Sequence, residues 1–405
     1  MPPMLRIISI TRTLPTPDDS IAGTFVANRL AALSRQSVLR ALQPVPYFPL
    51  VKPLPLWAGE AERLIQGVRV ESAPMFYVPG ALKFLDGWWL ARSASAPLAR
   101  LRRDSPIDLI DAHFGYPDGV GSVRVARSMG LPVFVTIRGS ETDFLRDRRI
   151  GPQLVRALNA ATGCISVSHS LRQLVMGYGV DGERVCVIPN AVDRQVFRPG
   201  SRQLARQNLG IAADARLIVT IGHLVSGKRH HILVRALAGL VKRHPQAMLA
   251  IVGGPTYDRA YPAQLSAVVR ELGLEQQVRI LGPTPQPLVN SWLQAADLFA
   301  LASQREGCCN AVLEALAAGR PVITTPVGDN AHFVHPGVNG SLVPVDDIVA
   351  FDRALGAALE RDWDADAISR GLNVGGWDDV ARRVLEFFSE RLAYPEQRRM
   401  AAVRA

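Results

Sequence analysis

The stretch from Ala296 to Thr325 constrains the fold more than any other. Ala296–Ala302 is apolar enough for a buried strand, and Ser303–Cys309 is a polar loop. Asn310 can cap the helix that follows, Gly319 stops it, and Pro321-Val322-Ile323-Thr324-Thr325 begins another strand. This is the unit of an open α/β sheet, whose ligands bind at the carboxyl ends of its strands. Glu306 falls in such a loop. Glu314 lies on an otherwise apolar turn with Val312, Leu313, Ala315 and Leu316, so it faces the interior or a cleft. A carboxylate there needs partners, and a row of ligand hydroxyls would satisfy both glutamates.

The same alternation runs through the chain. Leu5–Ile10, Ile107–His113, Val133–Ile137, Gly163–Ser168 and Val185–Ile188 read as strands of a first series, and Val68–Ala73 as a further candidate. Helices are expected at Thr24–Ser34, Ala81–Arg103, Val120–Met129 and His169–Gly177, with proline-rich 44–55 as an irregular excursion. A second series opens at Leu217–Ile221 and continues through Met248–Val252, Val278–Leu281 and Leu298–Leu301. A length of 405 residues exceeds one ordinary core, so two α/β domains are expected, hinged at Pro199-Gly200-Ser201.

No run of about 20 apolar residues occurs, and no leader pattern precedes the first strand. Cys164, Cys186, Cys308 and Cys309 form no C-x-x-C pair, which argues against a zinc site or a disulfide framework and for a reducing cytoplasm. The net charge of +10 is uneven: residues 1–200 hold 24 Lys+Arg against 16 Asp+Glu. A basic first half suits an anionic membrane face or an anionic acceptor; no nucleic-acid-binding module accompanies it. Trp88 and Trp89 with Arg92, Arg100, Arg102 and Arg103 suit either a core helix with a solvated end or a membrane-interface helix.

Several strand ends carry polar residues. His113-Phe114-Gly115-Tyr116-Pro117-Asp118-Gly119 follows one strand and Arg138-Gly139-Ser140-Glu141-Thr142-Asp143 the next, so two neighbouring strands deliver side chains to one edge. For His113 a structural histidine is as good a reading as a functional one. Gly222-His223-Leu224-Val225-Ser226-Gly227-Lys228-Arg229 joins a strand to the helix His230–Leu240, a reasonable diphosphate site.

Glu306 and Glu314 resemble the E-x₇-E motif of retaining glycosyltransferases of family 4, which have the GT-B fold. Pro189–Pro199 resembles that family's I-P-N-G-V-D-x-x-x-F-x-P segment, with Ala191 at the glycine. Gly222–Arg229 resembles its G-R-L-x-x-x-K-G, with His223 at the arginine and Arg229 at the final glycine. Gly337-Val338-Asn339-Gly340-Ser341-Leu342-Val343 resembles its closing G-x-N-G-L-L-V.

The resemblance implies two Rossmann-like doubly wound domains facing a central cleft: residues 1–198 on the acceptor side, residues 199–376 for the donor nucleotide, and a closing helix in 377–405 packing back on the first. It implies Glu306, Lys228 and His113 as catalytic residues. Glu314, His223, Arg229, Gly222, Cys308, Cys309, Asn310 and Gly282 are implied for the donor. Gly23, Arg138 and Asp143 are implied for the acceptor side, Arg138 standing where the family often has histidine. Lys228 would hold the diphosphate, Glu314 the ribose and Glu306 the transferred sugar. The implied reaction moves a hexose from a nucleotide-diphosphate sugar, with retention and without metal or cofactor, to a cell-surface polysaccharide or glycolipid acceptor at the inner face of the membrane. A nucleotide-sugar epimerase of the same fold, or a silent sugar-nucleotide-binding subunit, are the rival readings.

Overall fold

The computed structural model describes residues 4–49, 51–60, 62–256 and 258–404, and their side chains up to residue 393. Met1–Pro3, on which part of the expectation about a leader rests, lie outside the described residues. The chain divides into two compact units: Met1–Asn190 with Trp377–Ala405, and Ala191–Gly376. The expected boundary at residue 198 moves back to Asn190. Val192 and Phe197, fully buried, pack into the apolar core of the second unit, which decides the assignment of this segment.

The first unit contains β1 (Arg6–Ile10), β2 (Val38–Tyr47), β3 (Arg63–Ile65), β4 (Val68–Phe76), β5 (Leu109–His113), β6 (Val133–Ile137), β7 (Gly163–Ser166) and β8 (Val185–Val187). They form one sheet in the order β3-β4-β2-β1-β5-β6-β7-β8, parallel except for the antiparallel β3–β4 pair. Strand order reverses between β1 and β5, so their following loops open a crevice at the carboxyl edge.

The proline-rich segment is more regular than expected, because β2 runs straight through Pro44 and Pro46. The Val38 N–H donates to Leu5 of the β1 side, so even-numbered residues of β2 face β1. The ladder with β1 ends at Leu42 opposite Ile10, so neither proline removes a needed donor. The helix Asp86–Asp104 buries Leu90, Ala94, Leu98 and Leu101. Trp89 packs edge-on against Phe76 at 4.8 Å, whereas Trp88 remains 44% exposed. The last helix, Trp377–Arg404, turns Val380, Ala381, Val384, Phe387 and Phe388 inward at helical spacing. Phe388 stacks on Phe134 of β6 at 4.3 Å, which ties this helix to the first unit.

The second unit contains β9 (Arg216–Ile221), β10 (Ala247–Val252), β11 (Val278–Gly282), β12 (Leu298–Leu301), β13 (Val322–Thr324) and β14 (Gly340–Leu342). All are parallel, in the order β11-β10-β9-β12-β13-β14. That is the 3-2-1-4-5-6 order of a dinucleotide-binding fold, with its switch point between β9 and β12. Apolar side chains fill both faces, as a parallel sheet covered by helices requires. No helix among the described residues is long and apolar enough to cross a membrane.

Candidate active site

The loops after β9 and β12 flank the switch point of the second unit, and the backbone joins them. Gln304 N–H donates to the Gly227 carbonyl at 2.9 Å. The loop after β13 closes on the same place, with Asp329 N–H 3.3 Å from the Gly307 carbonyl. Gly328 has φ +59°, and a Cβ there would stand 2.5 Å from the Gly307 oxygen, so only glycine permits this approach.

Lys228 Nζ lies 2.6 Å from Glu306 Oε1 across the two loops, both groups largely buried. Two residues expected to act separately thus form an ion pair within one domain. Arg229 behaves differently. Its backbone is left-handed (φ 54°, ψ 31°), which accounts for a glycine in the family pattern at this position. Its Nε lies 3.2 Å from Asp346 Oδ1, which turns it toward a side chain that sequence reasoning did not single out.

Glu314 sits half-buried on the helix Asn310–Ala317. Its carboxylate makes no hydrogen bond or ion pair with any described residue. Burial pushes its pKa up to about 7. Such a group is poorly satisfied until a ligand donates to it.

Cys309, not Asn310, occupies the N-cap position of that helix, and its carbonyl accepts from Val312 and Leu313. Asn310 is instead the first helical residue, so it offers its backbone and side chain at the helix terminus rather than capping it. Cys309 is buried, and its thiol pKa is raised by that burial, leaving it a neutral packing group. Cys308 beside it is half-buried. Gly222 follows β9 and donates to Val252 at 2.9 Å; Gly282 ends β11 and accepts from Gly253 N–H at 3.0 Å. His223 is exposed, and its carbonyl stands 3.2 Å from Nε2 of the buried His230. Burial lowers the His230 pKa to about 4, so this imidazole is neutral at pH 7.

The corresponding edge of the first unit is built on buried charge. Arg29 of the helix Thr24–Ser34 donates to Thr136 at 2.8 Å and lies 3.4 Å from Asp111. Asp111 Oδ2 is 3.1 Å from His113 Nε2, and His113 Nδ1 is 3.0 Å from Arg138 Nη2. Arg138 Nη1 donates to Asn190 at 2.9 Å. Since guanidinium only donates, Nδ1 accepts and Nε2 carries the imidazole proton. Burial lowers the His113 pKa to about 4 despite Asp111 beside it. His113, expected at the catalytic centre, is fully buried with both nitrogens facing protein groups.

Glu141, which sequence reasoning left without a role, ties the loops together. Its Oε1 accepts from Gly115 N–H at 2.6 Å, and its Oε2 from Arg138 and Gly139 at 3.0 and 2.7 Å. Asp118 is also buried, paired with Arg12 at 3.1 Å, and burial raises its pKa to about 6. A signal was present: Asp111 is an acidic residue inside an apolar strand run, and Asp118 and Glu141 lie in the polar segments that follow such strands. Gly23 has φ +66°, and a Cβ would stand 2.5 Å from the Thr13 carbonyl, so it lets the loop after β1 fold on itself. Asp143 is exposed on the short helix Glu141–Phe144.

A family described as Glycosyltransferase Family 4 matches residues 54–196, and one described as Glycosyl transferases group 1 matches residues 201–370. The chain is 33% identical over 358 residues to the D-inositol 3-phosphate glycosyltransferase of Thermomonospora curvata, covering 80% of this chain and 82% of that one. Among solved structures it is similar to Anabaena Alr3699/HepE in complex with UDP and glucose, with a TM-score of 0.75, 20% identity, and 95% and 100% of the two chains covered. It is also similar to the sucrose-phosphate synthase of Thermosynechococcus elongatus, with a TM-score of 0.73, 18% identity, and 96% and 100% covered. These likenesses show the GT-B fold.

Proposed function

The chain belongs to glycosyltransferase family 4, and from that premise we propose that it transfers a hexose from a nucleotide-diphosphate sugar, with retention and without a metal, to a glycan or lipid-linked acceptor of the cell envelope. The observation that carries the donor reading is Glu314, a carboxylate held near pKa 7 with no partner among the described residues. Two ribose hydroxyls supply the hydrogen bonds it lacks and favour its ionised form. UDP bound in the Anabaena neighbour supports a uridine nucleotide as the first donor to test.

Departure of a nucleoside diphosphate builds negative charge, which must be met where it forms. Lys228 supplies a cation, and the amino terminus of Asn310–Ala317 supplies oriented backbone dipoles. Glu306 holds Lys228 in place and accepts hydroxyls of the transferred sugar. The departing phosphate oxygen takes the acceptor proton on the same face, which gives retention. His113 acts through Arg138.

A phosphorylated polyol acceptor, named in the Thermomonospora relative, is the second reading. Arg12 and Arg138 at the carboxyl edge of the first sheet favour it. Exposed Trp88 and Leu82, with Arg92 and Arg124 beside Trp88, support contact with an anionic cytoplasmic membrane face.

The test is a transfer assay with UDP-, GDP- and ADP-hexoses, offered inositol phosphates and lipid-linked glycans in parallel. Glycosylated acceptor and free nucleoside diphosphate from one donor series are expected, and lost in Glu306→Gln. Conversion of the donor sugar with no acceptor consumed would replace this reading by an epimerase. Tight nucleotide binding without turnover over every acceptor would replace it by a silent subunit.

A further inference from the structure

The opposite edge of the second sheet holds a second concentration of positive charge. Arg216 opens β9, Asp297 immediately precedes β12, and Arg320 lies two residues before β13. With Arg202, Arg361 and Asp362 they line a cavity of ≈ 160 Å³. The donor loops leave the other ends of these strands, about 17 Å away for a six-residue strand.

The carboxylates do not balance this cavity. Asp297 is already engaged: Arg202, Arg206 and the Leu217 N–H each donate to it at 2.7 Å. Asp362 is exposed at the rim. Arg320 is only 7% exposed and donates to two neutral acceptors, the Ala296 carbonyl at 2.9 Å and the Ala318 carbonyl at 3.3 Å. Its Nη2 has no acceptor among the described residues. Burial and the neighbouring Arg202 lower its pKa to about 10, so it still carries its charge at pH 7. A buried cation with a spare donor, facing Arg202 and Arg206 as well as Asp297, is costly unless an anion completes the site.

We propose that Arg320, Arg216, Arg202 and Arg361 form a second anion site that takes one phosphate dianion, free or as the phosphoryl end of a phosphate monoester. Guanidinium forks match phosphate oxygens in geometry as well as charge. The volume selects this class: pockets for whole small molecules are about 300–1,000 Å³, so a nucleotide is excluded while one phosphoryl group fits. An anion here holds the amino-terminal ends of β9, β12 and β13 together. Those are the three strands whose other ends carry the donor loops.

The site is tested by titrating the full chain calorimetrically with inorganic phosphate, and separately with hexose 6-phosphate, at constant ionic strength in potassium chloride. Phosphate can also enter the donor pocket, so Lys228→Ala is titrated alongside. Arg216→Gln/Arg361→Gln removes two exposed arginines, and its circular dichroism spectrum checks the fold. The expected result is phosphate binding retained in Lys228→Ala and weakened at least about tenfold in the double variant. Tighter binding of hexose 6-phosphate would identify the monoester as ligand, and equal binding the free ion. Binding lost in Lys228→Ala but unchanged in the double variant would overturn the proposal, as would no binding at all; the arginines would then be a structural clamp.

Discussion

Lys228 Nζ and Glu306 Oε1 stand 2.6 Å apart, joining the two loops that flank the strand-order reversal of the second sheet. The two residues are 78 positions apart, and each stabilises the other's orientation before a donor arrives. Their roles should separate on mutation. Lys228→Ala removes a charge-assisted contact to the diphosphate and should weaken nucleoside diphosphate binding about 10–100-fold by calorimetry. Glu306→Gln should leave that affinity within about threefold but slow transfer by about 10² or more.

Glu314 should trade stability for binding. Its folded pKa of about 7 lies above the unfolded value of 4.5, so the folded chain holds the extra proton between those pH values. Its contribution to stability therefore falls as pH rises through that window and is least above pH 7. Glu314→Gln should stabilise the unliganded protein at pH 8 by about 2 kcal/mol in denaturant titrations, partial exposure being allowed for. It should also abolish stabilisation by the donor. In the wild type, donor binding at pH 6.5 should release a proton, seen as a dependence of the titration heat on buffer ionisation enthalpy.

Arg229→Gly separates conformation from charge. Glycine relieves the left-handed backbone by about 1 kcal/mol, while the half-exposed pair with Asp346 contributes only about 0–1 kcal/mol. A melting temperature equal to or above the wild type is expected, with nucleotide affinity within about twofold. A tenfold loss of affinity would make Arg229 a phosphate ligand after all.

Glu141→Ala leaves three N–H groups, one buried and two part-buried, without their acceptor and should cost about 2–4 kcal/mol. Because it acts in the first unit, acceptor KM should rise while nucleotide affinity in the second unit stays unchanged. Glu141→Gln keeps one oxygen acceptor and should recover part of both losses.

Much of this was legible because a parallel sheet writes itself into a sequence. Buried strands such as Val133–Ile137 and Leu298–Leu301, and helices such as Val120–Met129 and His230–Leu240, have the expected limits. What escaped depends on who a residue's neighbour is. Pro44 and Pro46 look like strand breakers until β1 is seen to stop beside Leu42. Arg229 looks like a second phosphate cation, but its direction is set by Asp346, over a hundred residues away. His113 looks catalytic, yet Asp111 and Arg138 enclose both ring nitrogens. Residue type and local spacing reveal which chemistry reaches a strand end; they do not reveal which groups cancel one another there.

The return of helix Trp377–Arg404 to the first unit has a consequence during synthesis. The second unit, Ala191–Gly376, is one uninterrupted segment and can close its core as soon as it emerges from the ribosome. The first unit begins earlier but waits for Phe387 and Phe388 to cover Phe134. The half of the molecule that is translated first is therefore completed last, and its exposed β6–β7 face is the surface that a nascent chain must keep from aggregating.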